Sequence, residues 1–206
     1  MKVLIFSGTP KKDGITHSLV QTAEDTAKQL GMDAEVIRLA DENLTNCKMC
    51  DDGWGLCNKE YRCAFENEDG FALLQEKVRT ADAYIYITPV YWGDVSECMK
   101  PFFDKLRRTQ ATKQWEKDKD KNVASFLKGK PSIIVANAGG SGGGLLPALT
   151  GMERAISHMG GDSWPKNTGG ILDIIAVNRW NHHYKYDSLK AAITEMHCRL
   201  VESGKV

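Results

Sequence analysis

The stretch KVLIFSGTPKKDGITHSL, residues 2–19, decides the fold. Its apolar run VLIF predicts a buried strand, and an apolar pattern at helical spacing begins after a loop rich in Gly, Ser and Thr. The loop matches neither common nucleotide-binding motif. A P-loop has four residues between its glycines and then a lysine, whereas five separate Gly8 from Gly14 and Ile15 stands in the place of the lysine. The dinucleotide motif Gly-x-Gly-x-x-Gly is also absent.

The loop is nevertheless suited to an anion. It offers hydroxyl groups from Ser7, Thr9, Thr16 and Ser18, and it opens a helix whose free N–H groups and dipole favour negative charge. Such a loop suits a single phosphate group with little demand for a cation. The alternative is an ordinary strand-to-helix turn with Thr16 as the N-cap.

The rest of the chain alternates strand and helix patterns, which predicts an α/β fold with a doubly wound, mostly parallel sheet. Ligands of such sheets bind beyond the carboxyl ends of the strands. The loops at 7–16, 89–96 and 138–144 each follow an apolar strand, so we expect them to meet at one rim. The predicted strands are 2–7, 34–39, 83–90, 132–137 and 171–177, and the predicted helices are 16–30, 71–81, 96–108, 145–160 and 189–200.

The second and third loops suit a planar ring. Tyr91 and Trp92 in PVYWG (89–93) cannot both point inward on an extended chain, so we expect at least one to face the cleft. The five glycines of AGGSGGG (138–144) would let backbone N–H groups approach a polar ring edge, although composition alone also allows a loose loop. A phosphate loop, an aromatic wall and a bare backbone edge together describe a pocket for FMN.

The segments SGTPKKDGITHSL, TPVYWGDVSECMKPFFDKL and ANAGGSGGG resemble the NAD(P)H-dependent FMN reductase family of flavodoxin-like proteins. The resemblance runs from residue 2 to about 160. It implies one flavodoxin-like domain over 1–206, a five-stranded parallel sheet of order 2-1-3-4-5 with helices on both faces, and assembly as a homodimer or homotetramer. One departure is Ile15, where many relatives have Asn.

The resemblance also implies which residues contact FMN. Thr9, Lys11 and Thr16 take the phosphate-loop positions. From the residues alone, Ser7 adds a hydroxyl group, and His17 either contacts the cofactor or is a plain helix-start residue. The isoalloxazine would be lined by two groups, one of Pro89, Val90, Tyr91, Trp92 and Gly93 and one of Ala138, Gly139 and Gly140.

Four cysteines crowd a loop at 45–66: Cys47, Cys50, Cys57 and Cys63, spaced C-x2-C-x6-C-x5-C. Four thiolates can hold zinc or an iron–sulfur cluster, but structural zinc prefers two C-x2-C knuckles and only the first pair qualifies. Iron–sulfur flavoproteins of the resembled family carry four cysteines in this loop with a compact spacing, which DDGWGL (51–56) lengthens here. A [4Fe-4S] cluster, zinc and no metal all stay open. Cys98 and Cys198 are expected to be buried packing residues.

The leading hypothesis is an enzyme that passes hydride from NAD(P)H, its co-substrate, through bound FMN to an acceptor such as a quinone, a free flavin, a nitro compound, a metal ion or a protein. The flavin carries the chemistry, so no catalytic side chain is expected. The first alternative is an iron–sulfur flavoprotein that transfers electrons between protein partners. The second is a nucleotide-binding module without redox chemistry.

Charge and hydropathy argue against a nucleic-acid-binding, membrane-spanning or secreted protein. The 27 basic and 27 acidic residues balance, and no Lys/Arg-rich run suggests a nucleic-acid partner. No apolar stretch is long enough for a membrane span or a signal peptide, so we expect a cytoplasmic protein. A charged insertion is expected at about 110–130.

Overall fold

The computed structural model describes residues 1–53, 55–115, 125–160 and 170–204. For residues 111–115 it describes the backbone only. The strands are β1 (Lys2–Ser7), β2 (Asp33–Arg38), β3 (Ala83–Tyr91), β4 (Asp94–Val95), β5 (Pro131–Ala138) and β6 (Gly170–Asn178). The helices are α1 (Gly14–Gln29), α2 (Leu56–Lys59), α3 (Phe71–Thr80), α4 (Met99–Trp115), α5 (Leu145–His158) and α6 (His182–Glu202). Within these residues, no helix combines the length and apolarity needed to cross a membrane.

The sheet has the predicted topology. Five parallel strands lie in the order β2-β1-β3-β5-β6. Because the two-residue strand β4 only pairs antiparallel with the end of β3, this order is the predicted 2-1-3-4-5 of the main strands. The three strands that precede the rim loops, β1, β3 and β5, are therefore adjacent.

Alternation of side chains along the strands creates two separate cores. Leu4 and Phe6 of β1 face the layer of α3, α4 and α5, whereas Val3 and Ile5 face the layer of α1 and α6. The first core is rich in aromatic rings, and the second is built mainly from aliphatic side chains. Both faces of the sheet are thus covered, as the near-continuous apolar strands require.

Several boundaries differ from the predicted ones. Helix α1 begins at Gly14 after Asp13 as the N-cap, so the alternative with Thr16 as the N-cap is wrong. Helix α4 runs seven residues beyond its predicted end, to Trp115, and α6 begins at His182 rather than 189. Helix starts are hard to predict here because the first turns lie at the surface and lack an apolar stripe. Residues 116–124 of the predicted charged insertion lie outside the described residues.

Candidate functional site

The three rim loops lie side by side at the carboxyl ends of β1, β3 and β5. The first loop is anchored to β3, because the Gly8 amide donates to the Ile87 carbonyl at 2.8 Å. A Cβ atom on Gly8 would lie 2.9 Å from Ser96 Oγ and 3.0 Å from Thr88 Oγ1. A side chain at position 8 would therefore separate the loops, which explains the glycine.

The start of α1 presents backbone N–H groups and hydroxyl groups that could bind a ligand. Its N-cap Asp13 makes no side-chain capping hydrogen bond, and the first turn carries no acidic residue. The first N–H groups of a helix have no intrahelical acceptor. Thr9 and Thr16 are both buried beside this turn, and Thr9 Oγ1 accepts from the Lys11 amide at 3.2 Å.

Two buried oxygens at the same edge lack partners in the described part of the chain. They are Ser7 Oγ and Asn137 Oδ1. The other end of the Asn137 amide donates to Thr16 Oγ1 at 3.0 Å, which leaves the Thr16 hydroxyl hydrogen available. Buried polar atoms normally have a hydrogen-bond partner, so this arrangement suits a bound polar group. Lys11 is exposed and His17 half-buried at the margin of the loop.

The aromatic loop is a tight hairpin rather than an open loop. Trp92 and Gly93 both have positive φ, +51° and +81°, and they connect the pairs Tyr91↔Asp94 and Val90↔Val95. This geometry is that of a two-residue hairpin turn. It leaves the Trp92 side chain fully exposed and Tyr91 about 40% exposed. Partial burial and the nearby Glu97 carboxylate raise the pKa of Tyr91, so its phenol stays protonated and able to donate near neutral pH.

The glycine-rich loop approaches the backbone of the hairpin closely at Gly144. Gly139 and Gly140 are exposed after the buried Ala138. Gly144 has a φ of +83°, and a Cβ atom there would lie 2.7 Å from Gly93 Cα. The loops that follow β3 and β5 therefore approach closely because neither has a side chain at the contact.

Replacing Gly144 with alanine should lower the free energy of unfolding by about 1–3 kcal/mol, because the new Cβ atom is strained at positive φ and collides with the hairpin backbone. Gly143→Ala is the matched control, since a Cβ atom on Gly143 would meet no atom within 4 Å and its φ is not positive. Urea unfolding of the two variants measures the difference. Equal midpoints would contradict the proposed close contact.

The four loop cysteines, Cys47, Cys50, Cys57 and Cys63, line one small pocket, which we call the Cys pocket. All four are half-buried. Burial, and then the neighbouring Cys50 thiol, raise the pKa of Cys57, which Arg108 opposes. Burial also raises the pKa of Cys63, against the effect of Lys105. The Cys57 and Cys63 thiols are therefore expected to stay protonated near neutral pH until a metal displaces the protons.

The donor set is four thiols, which chemically suits zinc or an iron–sulfur cluster. Within the described residues, no group of three or more His, Cys, Asp or Glu side chains is placed around one ion position. Lys105 and Arg108 of α4 supply positive charge in the pocket wall, which suits an anionic cluster.

The lengthened segment between Cys50 and Cys57 is folded against α4. Asp51–Gly53 forms a tight turn with positive φ at all three residues, and α2 then carries Cys57. Arg108 Nη1 donates to the Gly53 carbonyl at 2.8 Å, and Nη2 donates to Met49 Sδ at 3.3 Å. The extra residues thus turn outward and back, so the longer spacing still brings all four cysteines to one pocket.

A buried ion pair closes the base of the cysteine loop, a feature that the sequence analysis missed. Asp69 accepts from the Thr45 amide at 2.8 Å, the Thr45 hydroxyl at 2.7 Å and the Phe71 amide at 3.0 Å. Lys105 pairs with Asp69 and donates to Thr45 Oγ1 at 3.0 Å. The Lys105 and Asp69 side chains are 2% and 0% exposed. Both ends of the cysteine loop are therefore fastened to α4.

Neither remaining cysteine contributes to the Cys pocket. Cys98 is half-buried and packs against the core. Cys198 is exposed on α6, so the prediction that it is a buried packing residue is wrong. The apolar stripe of α6 is carried by other positions, including Ile193, Met196 and Leu200.

Comparison with known proteins gives a consistent result. A sequence model of the family described as NADPH-dependent FMN reductase matches residues 1–159. An iron–sulfur flavoprotein of Methanosarcina thermophila is 27% identical over 178 residues, which span 80% of this chain and 83% of the relative. An iron–sulfur flavoprotein of Methanocaldococcus jannaschii is 35% identical over 107 residues, and the match spans about half of each protein, 52%.

Solved structures share the fold. An FMN-dependent NADH-azoreductase from Bacillus anthracis in complex with FMN has a TM-score of 0.63 at 11% identity, over 95% of this chain and 99% of that one. An NAD(P)H:quinone oxidoreductase from Methanothermobacter marburgensis has a TM-score of 0.63 at 16% identity, over 98% and 96% of the two chains. At these identities the likeness concerns the fold.

Proposed function

The chain belongs to the NADPH-dependent FMN reductase family, and from this premise we propose that it is an FMN-dependent oxidoreductase that uses NAD(P)H to reduce a second acceptor. When bound, FMN would supply the redox chemistry by taking up hydride from NAD(P)H and releasing electrons to the acceptor. The acceptor class includes quinones, free flavins, nitro compounds, metal ions and proteins.

The observation that carries this proposal is the set of uncommitted groups at the start of α1. The free first-turn amides, the buried Thr9 and Thr16 hydroxyls and the unpaired oxygen of Ser7 lie at one rim. We assign the FMN phosphate to this position, with Lys11 and His17 at its margin. A helix N-terminus with hydroxyl groups binds a phosphate through hydrogen bonds and its dipole.

The two other loops would hold the ring. Pro89, Val90, Tyr91, Trp92 and Gly93 form one side of the proposed ring pocket. Ala138, Gly139 and Gly140 form the other, where exposed backbone N–H groups can donate to the ring edge and stabilise negative charge on it. Fixed donors of this kind would orient the ring and would favour its reduced, anionic state.

Thr16→Val tests the phosphate assignment. The Thr16 hydroxyl accepts from Asn137 at 3.0 Å and keeps its own hydrogen for an anion, so we expect the Kd for FMN to rise about tenfold when it is lost. Fluorescence titration of apoprotein with FMN measures the change. Thr22→Val on the same helix is the control, because the Thr22 hydroxyl donates to the Ser18 carbonyl at 2.8 Å. A Kd unchanged in Thr16→Val would disprove the assignment.

A second candidate function rests on the Cys pocket. Four half-buried thiols, with the cationic side chains of Lys48, Lys105 and Arg108 in the wall, support a [4Fe-4S] cluster held by Cys47, Cys50, Cys57 and Cys63. With such a cluster the protein would transfer electrons between protein partners and turn over NAD(P)H slowly. The names of the curated relatives favour this candidate.

The absorption spectrum of protein purified without oxygen separates the candidates. Yellow protein whose flavin band bleaches with NAD(P)H supports the enzyme. Brown protein with iron and acid-labile sulfide, reduced only slowly by NAD(P)H, supports the electron carrier. Colourless protein that cannot be reconstituted with FMN would refute both.

The proposed assembly is a homodimer or a homotetramer. Large apolar side chains are exposed near the rim: Trp92 at 106%, Leu146 at 76% and Trp180 at 70%. Exposed apolar surface of this kind often marks an interface. A monomeric mass in light scattering would contradict this part of the proposal.

A further inference from the structure

A groove lies between α4 and α5, on the side of the sheet that also carries the Cys pocket. It has a volume of about 380 Å³ and is lined by Asp94 and Val95 of the aromatic hairpin. We call it the α4/α5 groove. Pockets for small ligands start at about 300 Å³, so the groove has room for part of a nucleotide.

Two arginines in this groove lack partners. Among the arginines that the structure describes, only the side chains of Arg107 and Arg154 make no hydrogen bond, ion pair or ring contact. Arg107 is moreover half-buried. A guanidinium with reduced hydration and no acceptor is suited to bind a phosphate or carboxylate, often through two hydrogen bonds.

The floor of the groove is apolar and its rim is polar. Phe103 and Met152 are buried beneath it, and Gly151 leaves open space above the floor. Of the two carboxylates that line the groove, Asp104 is paired with Lys100 at 3.1 Å. Asp94 belongs to β4, which pairs with the end of β3 at the rim, whereas Arg107 and Arg154 lie more than two turns into α4 and α5. An apolar floor with cations at one end suits a base and sugar that carry phosphate.

The distance of the two arginines from the rim also suits a dinucleotide. Arg107 lies eight residues beyond Met99, the first residue of α4, which is about 12 Å along the helix axis. Arg154 lies nine residues beyond Leu145, the first residue of α5, which is about 14 Å. Both helices begin at the rim where the three loops meet. A dinucleotide with its nicotinamide at that rim could therefore extend along the groove towards the arginines.

We propose that the α4/α5 groove binds the adenosine-phosphate half of NAD(P)H, with Arg107 and Arg154 holding its phosphate groups. This inference rests on the proposed function, because NAD(P)H is the co-substrate assigned there. It adds a site separate from the FMN loops, formed by helix faces that the FMN assignment leaves unused.

The test uses FMN-loaded full-length protein with Arg107→Gln, Arg154→Gln and the double substitution. We expect each single variant to raise the KM for NADPH about tenfold with little change in kcat, since only binding is lost. The affinity for 2′,5′-ADP, measured by calorimetry, should fall in parallel. Lys190→Gln, which breaks an exposed ion pair with Asp187 on α6, is the control and should change neither quantity.

A comparison of nucleotides shows which phosphate of NAD(P)H the two arginines contact. If the variants lose affinity only for NADPH and 2′,5′-ADP, the arginines contact the 2′-phosphate. If they lose affinity equally for NADH and 5′-AMP, the arginines contact the diphosphate. Both outcomes support the proposal. Inorganic phosphate that competes as well as 2′,5′-ADP would overturn it, since the groove would then be a simple anion site.

Two further results would overturn the inference. One is an unchanged KM and 2′,5′-ADP affinity in the double variant. The other is a change of oligomeric mass without a change in nucleotide affinity, which would make the groove an interface between copies of the chain. Failure of the proposed function looks different, because the wild type itself would then lack FMN or leave NAD(P)H unoxidised. Direct 2′,5′-ADP binding still decides the inference if turnover is slow.

Discussion

Replacing Asp69 with alanine should lower the free energy of unfolding by about 3–5 kcal/mol, because it leaves the buried Lys105 ammonium without its counter-charge. Lys105 and Asp69 are almost fully excluded from solvent. The substitution also removes the acceptor of the Thr45 and Phe71 amides. The cysteine loop would lose its attachment to α4 at both ends.

Urea unfolding followed by circular dichroism measures the loss. Asp187→Ala is the matched control, since it removes an exposed carboxylate that pairs with Lys190 and should cost at most about 1 kcal/mol. The double variant Asp69→Ala with Lys105→Met should recover part of the stability by removing the stranded charge. If Asp69→Ala costs no more than Asp187→Ala, the ion pair does not hold the loop.

The contribution of Asp69 to the free energy of unfolding should depend on pH only under acidic conditions. Burial by itself would raise the pKa of Asp69, but the Lys105 ammonium and the Thr45 hydrogen bonds outweigh it and hold this pKa below its ordinary value of 3.8. A lowered pKa in the folded state means that the stabilisation is complete above the unfolded value and is lost as the pH falls through the folded one. The stability difference between wild type and Asp69→Ala should accordingly stay constant above about pH 4 to 5 and shrink below it.

Replacing Arg108 with methionine should reduce the iron and sulfide retained by reconstituted protein, with a fall in cluster affinity on the order of tenfold or more. Arg108 holds the segment between Cys50 and Cys57 through Gly53 and Met49. It also lowers the pKa of Cys57 against the effect of burial. Without it, the longer spacing would no longer direct Cys57 into the Cys pocket.

Arg107→Met is the matched control for this substitution. It removes the adjacent arginine of α4, which lines the α4/α5 groove and not the Cys pocket, and it should leave the iron and sulfide content as in the wild type. The FMN content of both variants reports on the rest of the fold. Equal iron in Arg108→Met and Arg107→Met would show that Arg108 does not organise the site. Wild-type protein that takes up no iron would instead refute the proposed cluster.

The main strands could be predicted because each reads as a short apolar run, as buried parallel strands do. Their order in the sheet came instead from the family resemblance. The meeting of the three loops followed from topology. The hairpin at Trp92 and Gly93 was less visible, since positive φ at a tryptophan is unusual. Its clue was the glycine directly after two aromatics.

The contacts that organise the cysteine loop were beyond sequence patterns. Lys105 lies 36 residues from Asp69, and Arg108 lies 55 from Gly53. Neither pair has a helical or strand periodicity that would link its members. The longer cysteine spacing left the cluster in doubt because the outward turn at Asp51–Gly53 depends on the distant Arg108. Tertiary contacts of this kind become visible only when the chain is folded.

The unequal distribution of aromatic rings gives the protein a built-in optical probe of one side of its sheet. The fully buried Tyr84 and Tyr86 lie among phenylalanine rings in the layer of α3, α4 and α5. Among the described residues, the opposite core includes no fully buried aromatic, with only the partly buried Tyr186 packed against it. Near-ultraviolet circular dichroism of the tyrosines should therefore fade when the side with the Cys pocket loosens and persist when α1 and α6 loosen first. The order of opening could thus be observed without an added label.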